Sequence, residues 1–194
     1  MGATPAFPFT PWPKIPRLRR GCVITEKIDG TNASIYIPED DADSAPGVYA
    51  GSRTRWLTPE SDNFGFAAWV REHEDELTLL GPGHHFGEWW GRGIQRNYGL
   101  ESRRFSLFNT GRWLDEGGNR HPYMPDCVGV VPVLYAGPFD DAAVESTLWR
   151  LQRLGSEAAP GFMRPEGVVV YHSAGHNLYK VLLENDAEPK GIAA

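Results

Sequence analysis

The sequence predicts an α+β fold of mainly antiparallel sheets packed together, with a few flanking helices. Three observations carry that expectation. Short β-branched and aromatic runs recur along most of the chain, turn signals separate them, and only two stretches place apolar residues at helical spacing. Several runs are apolar at consecutive positions, the pattern of strands covered on both faces and hence of two sheets in contact.

The elements follow in order. Residues 1–21 read as a Pro- and Arg-rich arm, extended over its first sixteen residues. CVITEKI (22–28) and NASIYI (32–37) are strands separated by Asp29-Gly30-Thr31, which reads locally as the turn of a hairpin. GVYAGSR (47–53) is a third strand, followed by a helix over 61–77 with Phe66, Trp69, Val70, His73 and Leu77 at helical spacing. HHFGEWW (84–90), RFSLFN (104–109) and CVGVVPVLY (127–135) extend the sheets. A second helix is framed by Asp140 as N-cap and Gly155 as stop, with Val144, Leu148, Leu151 and Leu154 on one face. EGVVVYH (166–172) and NLYKVLL (177–183) complete the set, giving one domain over 22–186 and a tail over 187–194.

Composition excludes several classes. With 194 residues, 41% of them hydrophobic and 12% aromatic, the chain can bury a sizeable core and is no disordered tail. Its apolar runs fall short of the roughly 20 residues of a membrane span, and its N-terminus has no secretory pattern, so a cytoplasmic location with no membrane partner is expected. Cys22 and Cys127 lie in strand contexts far apart in sequence and read as reduced thiols. His84-His85 and His172 with His176 lack a cysteine or acid at a ligand spacing, and read as satisfied or solvent-facing imidazoles rather than a metal site.

The net charge is −6, from 19 basic and 25 acidic residues, which argues against a general phosphate binder. Its distribution qualifies that. Residues 1–21 hold Lys14, Arg17, Arg19 and Arg20 and no acid, and residues 92–120 hold six arginines against three acids. Negative charge gathers at 39–43, 72–76 and 184–188. Fifteen of the basic residues are arginine and only four are lysine: Lys14, Lys27, Lys180 and Lys190.

Two of those scarce lysines sit where a surface filler is out of place. Lys27, in EKIDGTN, follows an otherwise apolar strand and lies between two carboxylates; it is either a surface lysine beside a turn or a nucleophile whose amine must be kept neutral. Lys180 shares a strand face with Leu178 and Leu182, and a hairpin over 166–183 would bring it close to Glu166. Glu166, at the end of an apolar strand, needs an arginine, a metal or a nucleotide as partner. Glu88 stands mid-strand among aromatics, where it is either an Arg-paired strand carboxylate or a ligand-binding one. Phe105 and Phe108 are core residues unless one of them reaches a pocket and stacks on a base.

Taken together and in order, EKIDGTN, GSRTRWL, HHFGEWWG, RFSLFN, RPEGVVVY and LYKVLLEN resemble the nucleotidyltransferase motifs of the covalent ligase and capping-enzyme superfamily. Glu before the lysine, Thr-Asn after the glycine and Gly-Ile-Gln after Glu88 are most similar to the ATP-dependent RNA-ligase branch of phage and RNA-editing enzymes. The resemblance implies an ATP-grasp-like ligase adenylylation domain. It implies that Lys27 attacks the α-phosphate of ATP to form a lysyl-AMP phosphoramidate, with Mg²⁺ or Mn²⁺ as metal. An ordinary lysine amine, of pKa about 10.4, is protonated at pH 7, so the site must supply neighbouring positive charge. By the same resemblance Lys180 contacts the α-phosphate, Glu166 helps bind metal and organise Lys27, and Asp29 completes the motif turn. Glu26 accepts from the adenine amino group, Glu88 binds ribose hydroxyls, Phe108 stacks on the base, and Asn32 and Arg53 contact ribose or the RNA strand. AMP would then pass to a 5′-phosphate RNA end, which a 3′-hydroxyl attacks.

Three positions depart from the pattern. Leu182 replaces a second lysine, Asn109 replaces an aspartate after Phe108, and the chain ends about fourteen residues after Lys180. The expectation is a nucleotidyltransferase with no C-terminal accessory domain, able to self-adenylylate but weak on ordinary 5′-phosphate ends unless a separate partner protein or the arginine-rich surfaces help. The alternatives are a DNA ligase or GTP-using capping enzyme, disfavoured by Glu26 and Asn32, and a catalytically silent module that binds nucleic-acid ends.

Overall fold

The computed structural model describes residues 6–39, 47–184 and 186. The acids at 40–43, Glu188, Lys190 and the tail at 187–194 lie outside the described residues. Among the described residues, nine strands form two sheets. One has four strands, β1 (Gly21–Lys27), β7 (Val133–Pro138), β8 (Gly167–His172) and β9 (Asn177–Leu182), in the order β7-β1-β8-β9 and antiparallel throughout. The other has five, β2 (Thr31–Ile37), β3 (Tyr49–Ser52), β4 (Gly83–Gly91), β5 (Arg103–Leu107) and β6 (Val128–Val130), in the order β3-β2-β4-β5-β6. Only the β5–β6 pair is parallel.

β1 and β2 do not form the hairpin that Asp-Gly-Thr suggested. β1 pairs with β7 and β8, β2 pairs with β3 and β4, and residues 28–30 carry the chain from one sheet to the other. Glycine is required at the crossing: a Cβ on Gly30 would lie 2.5 Å from the Trp89 carbonyl oxygen and 2.7 Å from the Trp90 Cβ. The single strand expected over 127–135 is likewise divided between sheets. β6 ends at Val130 and β7 starts at Val133, with Pro132 between them; proline has no N–H for a ladder, and its carbonyl accepts from Glu26 N at 2.9 Å.

The helix expected over 61–77 is shorter and broken into α1 (Phe66–Glu72) and α2 (Glu74–Leu77), then a 3₁₀ turn over Thr78–Leu80. Asp62 holds back its start, its carboxylate accepting from the backbone of Asn63, Ala67 and Ala68. α3 (Thr110–Trp113) was not anticipated, and Asn109 caps it, accepting from Arg112 N at 3.2 Å. α4 (Asp141–Leu154) runs between its expected cap Asp140 and stop Gly155.

Each sheet buries one face. The five-stranded sheet sets Ala33, Ile35, Trp89, Phe105 and Leu107 against Phe66, Val70, Leu77 and Leu80. The four-stranded sheet sets Cys22, Ile24, Val168 and Val170 against Leu151, Val144 and Leu148 of α4. A third cluster, Ile28, Trp90, Tyr98, Val131 and Ala159, sits where the sheets meet, beside the 28–30 crossing. Fully burying such side chains contributes about 1.5–3 kcal/mol each, so the crossing is held by packing on both sides.

Candidate active site

The site grows from the end of β1. Pairing partners share a sheet face, so Lys27 (opposite Gly167), Thr25 and Lys180 (both opposite Val169) and Leu182 (opposite Gly167) all lie on one face of the four-stranded sheet. This is the face away from α4. Lys27 Nζ donates to Glu166 Oε2 at 2.5 Å, with the lysine side chain 24% exposed and the carboxylate 8%. A Cβ on Gly167 would run into the Val181 carbonyl, so glycine there lets β8 and β9 close up directly beside Glu166. Glu166 therefore pairs with Lys27 rather than with Lys180, which is exposed on β9 with no partner among the described residues.

The five-stranded sheet supplies the opposing wall. Glu88 on β4 lies opposite Asn32 of β2 and Ser106 of β5, on the face away from the helices. Its Oε1 accepts from Gly30 N at 3.0 Å. Burial pushes the Glu88 carboxyl up from an ordinary 4.5 to about 7, against the pull of the Lys27 charge. Phe108 follows β5 and is 40% exposed, with its backbone N–H on the Phe86 carbonyl at 2.9 Å. Arg53, just past β3, is exposed and makes no hydrogen bond or ion pair to a described residue.

Two groups that clamp the crossing were not singled out from the sequence. Tyr98 is buried and its hydroxyl accepts from Asp29 N at 2.8 Å; Arg96 Nε donates to Asp29 Oδ2 at 3.0 Å and its Nη1 to the Arg164 carbonyl at 3.1 Å. Asp29, Glu88, Tyr98 and Arg96 thus fix residues 29 and 30 from several sides. Gln95, Asn97 and Tyr98 all have positive φ (43°, 61° and 50°), an uncommon backbone for such residues. Gly-Ile-Gln-Arg-Asn-Tyr-Gly was the visible signal: polar side chains in a Gly-flanked loop.

Glu26 lies on the opposite face of β1 from Lys27. It is 1% exposed, and its Oε2 accepts from Glu157 N at 2.8 Å and Ala158 N at 2.9 Å, while Oε1 has no partner among the described residues. Burial raises its carboxyl above the ordinary range. A cavity of about 330 Å³ is lined by Trp90, Arg104, Phe105, Ser106, Cys127, Gly129 and Ala158; of the two phenylalanines considered for stacking it is the buried Phe105, not Phe108, that borders it, and none of the other residues expected at the site does.

The arginines of 92–120 are mostly structural. Besides Arg96, Arg103 donates to the Phe64 and Arg92 carbonyls, Arg112 to the Leu80 carbonyl and Arg120 to the Pro125 carbonyl, and Arg104 lies over the Trp90 ring. Cys22 and Cys127 are free thiols. His85 bonds the Gly81 carbonyl, and His172 the Leu18 carbonyl. Among the described residues no three His, Cys, Asp or Glu gather as a metal site, and no helix is long and apolar enough to cross a membrane.

The structure thus sets a lysine amine beside a buried carboxylate, facing a wall of polar and aromatic side chains. The RNA ligase family model matches residues 20–182, and the chain belongs to that family. Solved structures of a Naegleria gruberi RNA ligase share the fold. Its complex with AMP and Mn is 19% identical with TM-score 0.58, over 85% of this chain and 50% of that one. Its complex with ATP and Mn is 18% identical with TM-score 0.57, over the same shares. A ligand-free form is 18% identical with TM-score 0.56, over 86% of this chain and 50% of that one. This chain therefore spans about half the length of those structures. The search of curated proteins returned no match.

Proposed function

We propose that the chain is an ATP-dependent RNA ligase-type nucleotidyltransferase, acting in the cytoplasm, that forms a lysyl-AMP at Lys27 and passes AMP to a 5′-phosphate RNA end. The observation that carries this reading is the Lys27–Glu166 pair at 2.5 Å on the open face of the four-stranded sheet. Lys27 Nζ bonds to the α-phosphorus, the bond from that phosphorus to the bridging oxygen breaks, and pyrophosphate leaves. Glu166 Oε2 is the acceptor in place for the proton that Nζ gives up. Lys180, on the same face and without an acidic partner among the described residues, is free to meet the phosphate charge.

Glu88 and Phe108 suit ribose and base. Two adjacent ribose hydroxyls are donors for the Glu88 oxygens, and the half-exposed Phe108 ring can stack on a base, a contact of about 1–3 kcal/mol. Asn32 beside Glu88 and the exposed Arg53, without a partner among the described residues, suit the ribose or the incoming RNA strand. Glu26 fits an adenine reader in one respect: a buried carboxylate held by two backbone N–H groups keeps one oxygen without a donor, and an exocyclic amine would supply it. Guanine offers a carbonyl at that place, which favours ATP over GTP.

A divalent Mg²⁺ or Mn²⁺ fits a site where Glu166 is the carboxylate and substrate phosphates supply the other ligands, since such ions commonly bind through one or two carboxylates plus phosphate. When bound it neutralises charge developing on the phosphates.

The test is a chase. The protein is labelled with α-³²P-ATP and a divalent metal, freed of nucleotide, and given a 5′-phosphate RNA with a 3′-hydroxyl partner. The label is expected to move from protein to the RNA 5′ end and to leave as AMP when the ends join. Label that enters the protein yet never reaches RNA would refute the ligase reading. Strand joining only after a second protein is added would support a partner that completes the reaction.

A further inference from the structure

The charge of this chain is divided in a way that the active site does not explain. The first twenty-one residues carry four cations and no acid, leaving fifteen basic against twenty-five acidic residues, a net −10, on the rest. A body of that charge repels a polyanion, and many of its arginines are occupied: Arg96, Arg103, Arg112, Arg120 and Arg150 all donate to carbonyls or acids of the fold. The cations at Lys14, Arg17, Arg19 and Arg20 are exposed and make no ion pair among the described residues.

The rings of the same segment are as available as its charges. Phe7, Phe9 and Trp12 are 76%, 86% and 84% exposed, although aromatics of this size are ordinarily the first to be buried. Pro8, Pro11, Pro13 and Pro16 remove backbone donors at close intervals, so the segment cannot add a strand to either sheet and keeps an extended form. Its base is pinned: the Leu18 carbonyl accepts from His172 Nε2 at 2.6 Å and the Arg20 carbonyl from Phe139 N at 2.6 Å, immediately before β1 begins. From that anchor Lys27 is six residues along β1, roughly 20 Å. An extended arm from Gly21 back to Phe7 reaches about 40 Å, which is enough to span the distance to the nucleophile.

We propose that residues 6–20 are a holding arm for single-stranded RNA, with Lys14, Arg17, Arg19 and Arg20 on phosphates and Phe7, Phe9 and Trp12 stacked on bases. Three rings followed by four cations on a prestiffened segment match the chemistry of an unpaired strand, whose bases are open to stacking and whose charge follows its backbone. A duplex offers the charge and not the base faces. The proposal rests on the RNA reading of the site, and it adds a second contact that acts on the strand and not on the nucleotide.

The test uses the full chain and two variants, one with Lys14, Arg17, Arg19 and Arg20 replaced by Ser, the other with Phe7→Ala, Phe9→Ala and Trp12→Ala. Binding of a fluorescent 20-nucleotide single-stranded RNA and of its duplex is measured against salt without ATP, and self-adenylylation is measured separately. The charge variant is expected to bind single-stranded RNA at least tenfold more weakly, with the slope of log affinity against log salt reduced by about 3, from 0.7 per cation. The ring variant is expected to lose about tenfold on single strands and little on duplex, with the slope kept. Both should self-adenylylate like wild type. Unchanged RNA affinity and slope in the charge variant would overturn the proposal, and equal losses on duplex and single strand in the ring variant would overturn its stacking half. If wild type formed no adenylate while the arm variants still lost RNA binding, the catalytic reading would fall and the arm would stand.

Discussion

The two sheets meet beside the 28–30 crossing and present different chemistry to it. The four-stranded sheet contributes Lys27, Glu166 and Lys180, the charged groups that the proposed adenylyl transfer would use at phosphorus. The five-stranded sheet contributes Glu88, Asn32 and Phe108, groups suited to holding a nucleoside. Lys27 and Glu88 are near enough for the lysine charge to act on the carboxyl, which links the halves. A site divided in this way can alter what it binds without moving its nucleophile, and the division is open to test.

The largest effect is expected on the four-stranded side. Glu166→Gln keeps the shape beside Lys27 and removes the proton acceptor, so adenylate formation should slow by about 100-fold or more while ATP affinity changes little. Rapid-quench measurement of adduct formation at several ATP concentrations separates the two. A change in affinity alone would break the proposed division.

On the five-stranded side the signature should be reversed, with Glu88→Gln weakening ATP binding about tenfold, near 1.4 kcal/mol, and leaving the maximal rate of adduct formation within a few-fold. This residue also has a stability signature. Burial lifts its carboxyl from 4.5 to about 7, so over that window the folded chain holds a proton that the unfolded chain has released. Stability contributed at this position therefore falls as pH rises from about 4.5 to 7. Without nucleotide, Glu88→Gln should be more stable than wild type above pH 7, by on the order of 1–3 kcal/mol, with the advantage shrinking towards pH 4.5. Thermal unfolding at pH 5 and pH 8 reads this directly.

The turn itself should give an intermediate effect. Tyr98→Phe leaves the Asp29 N–H without its acceptor in a buried setting, at a cost of about 1–3 kcal/mol in denaturant unfolding, with a modest loss in both rate and affinity because both sheets depend on the crossing. Smallest is Asn109→Ala, expected to cost about 1 kcal/mol of stability through the cap of α3 and to leave adduct formation unchanged.

Strand positions and the order of the motifs were legible because alternation and turn residues are local signals. α4, from its Asp140 cap to Gly155, was legible for the same reason. Pairing is not local. Asp29-Gly30-Thr31 looks like a hairpin turn until Gly30 is seen pressed on Trp89 and Trp90, residues nearly sixty positions away. The split of 127–135 shows the same limit: Pro132 was visible, but not that the strands beside it belong to different sheets.

Side-chain partners were less legible still. The local hairpin suggested only that Glu166 lies near Lys180, and it took the resemblance of the ordered motifs to set it beside Lys27, 139 positions away, which its carboxylate bonds. Arginines 96, 103, 112 and 120 read as a basic surface by count, whereas their guanidinium groups serve carbonyls and acids of the fold, a use that composition cannot distinguish from phosphate binding. Tyr98 and Arg96 acquire meaning only from the Asp29 backbone and carboxylate they hold.

The measurement that tests the central claim most directly is the site of the covalent nucleotide. The chain is incubated with ATP and Mg²⁺, digested at neutral or alkaline pH where a phosphoramidate survives, and mapped by mass spectrometry. The account predicts a single AMP on the peptide containing Lys27, absent from Lys27→Ala and retained in Lys180→Ala at reduced yield. AMP on another residue, or an adduct that persists in Lys27→Ala, would contradict it.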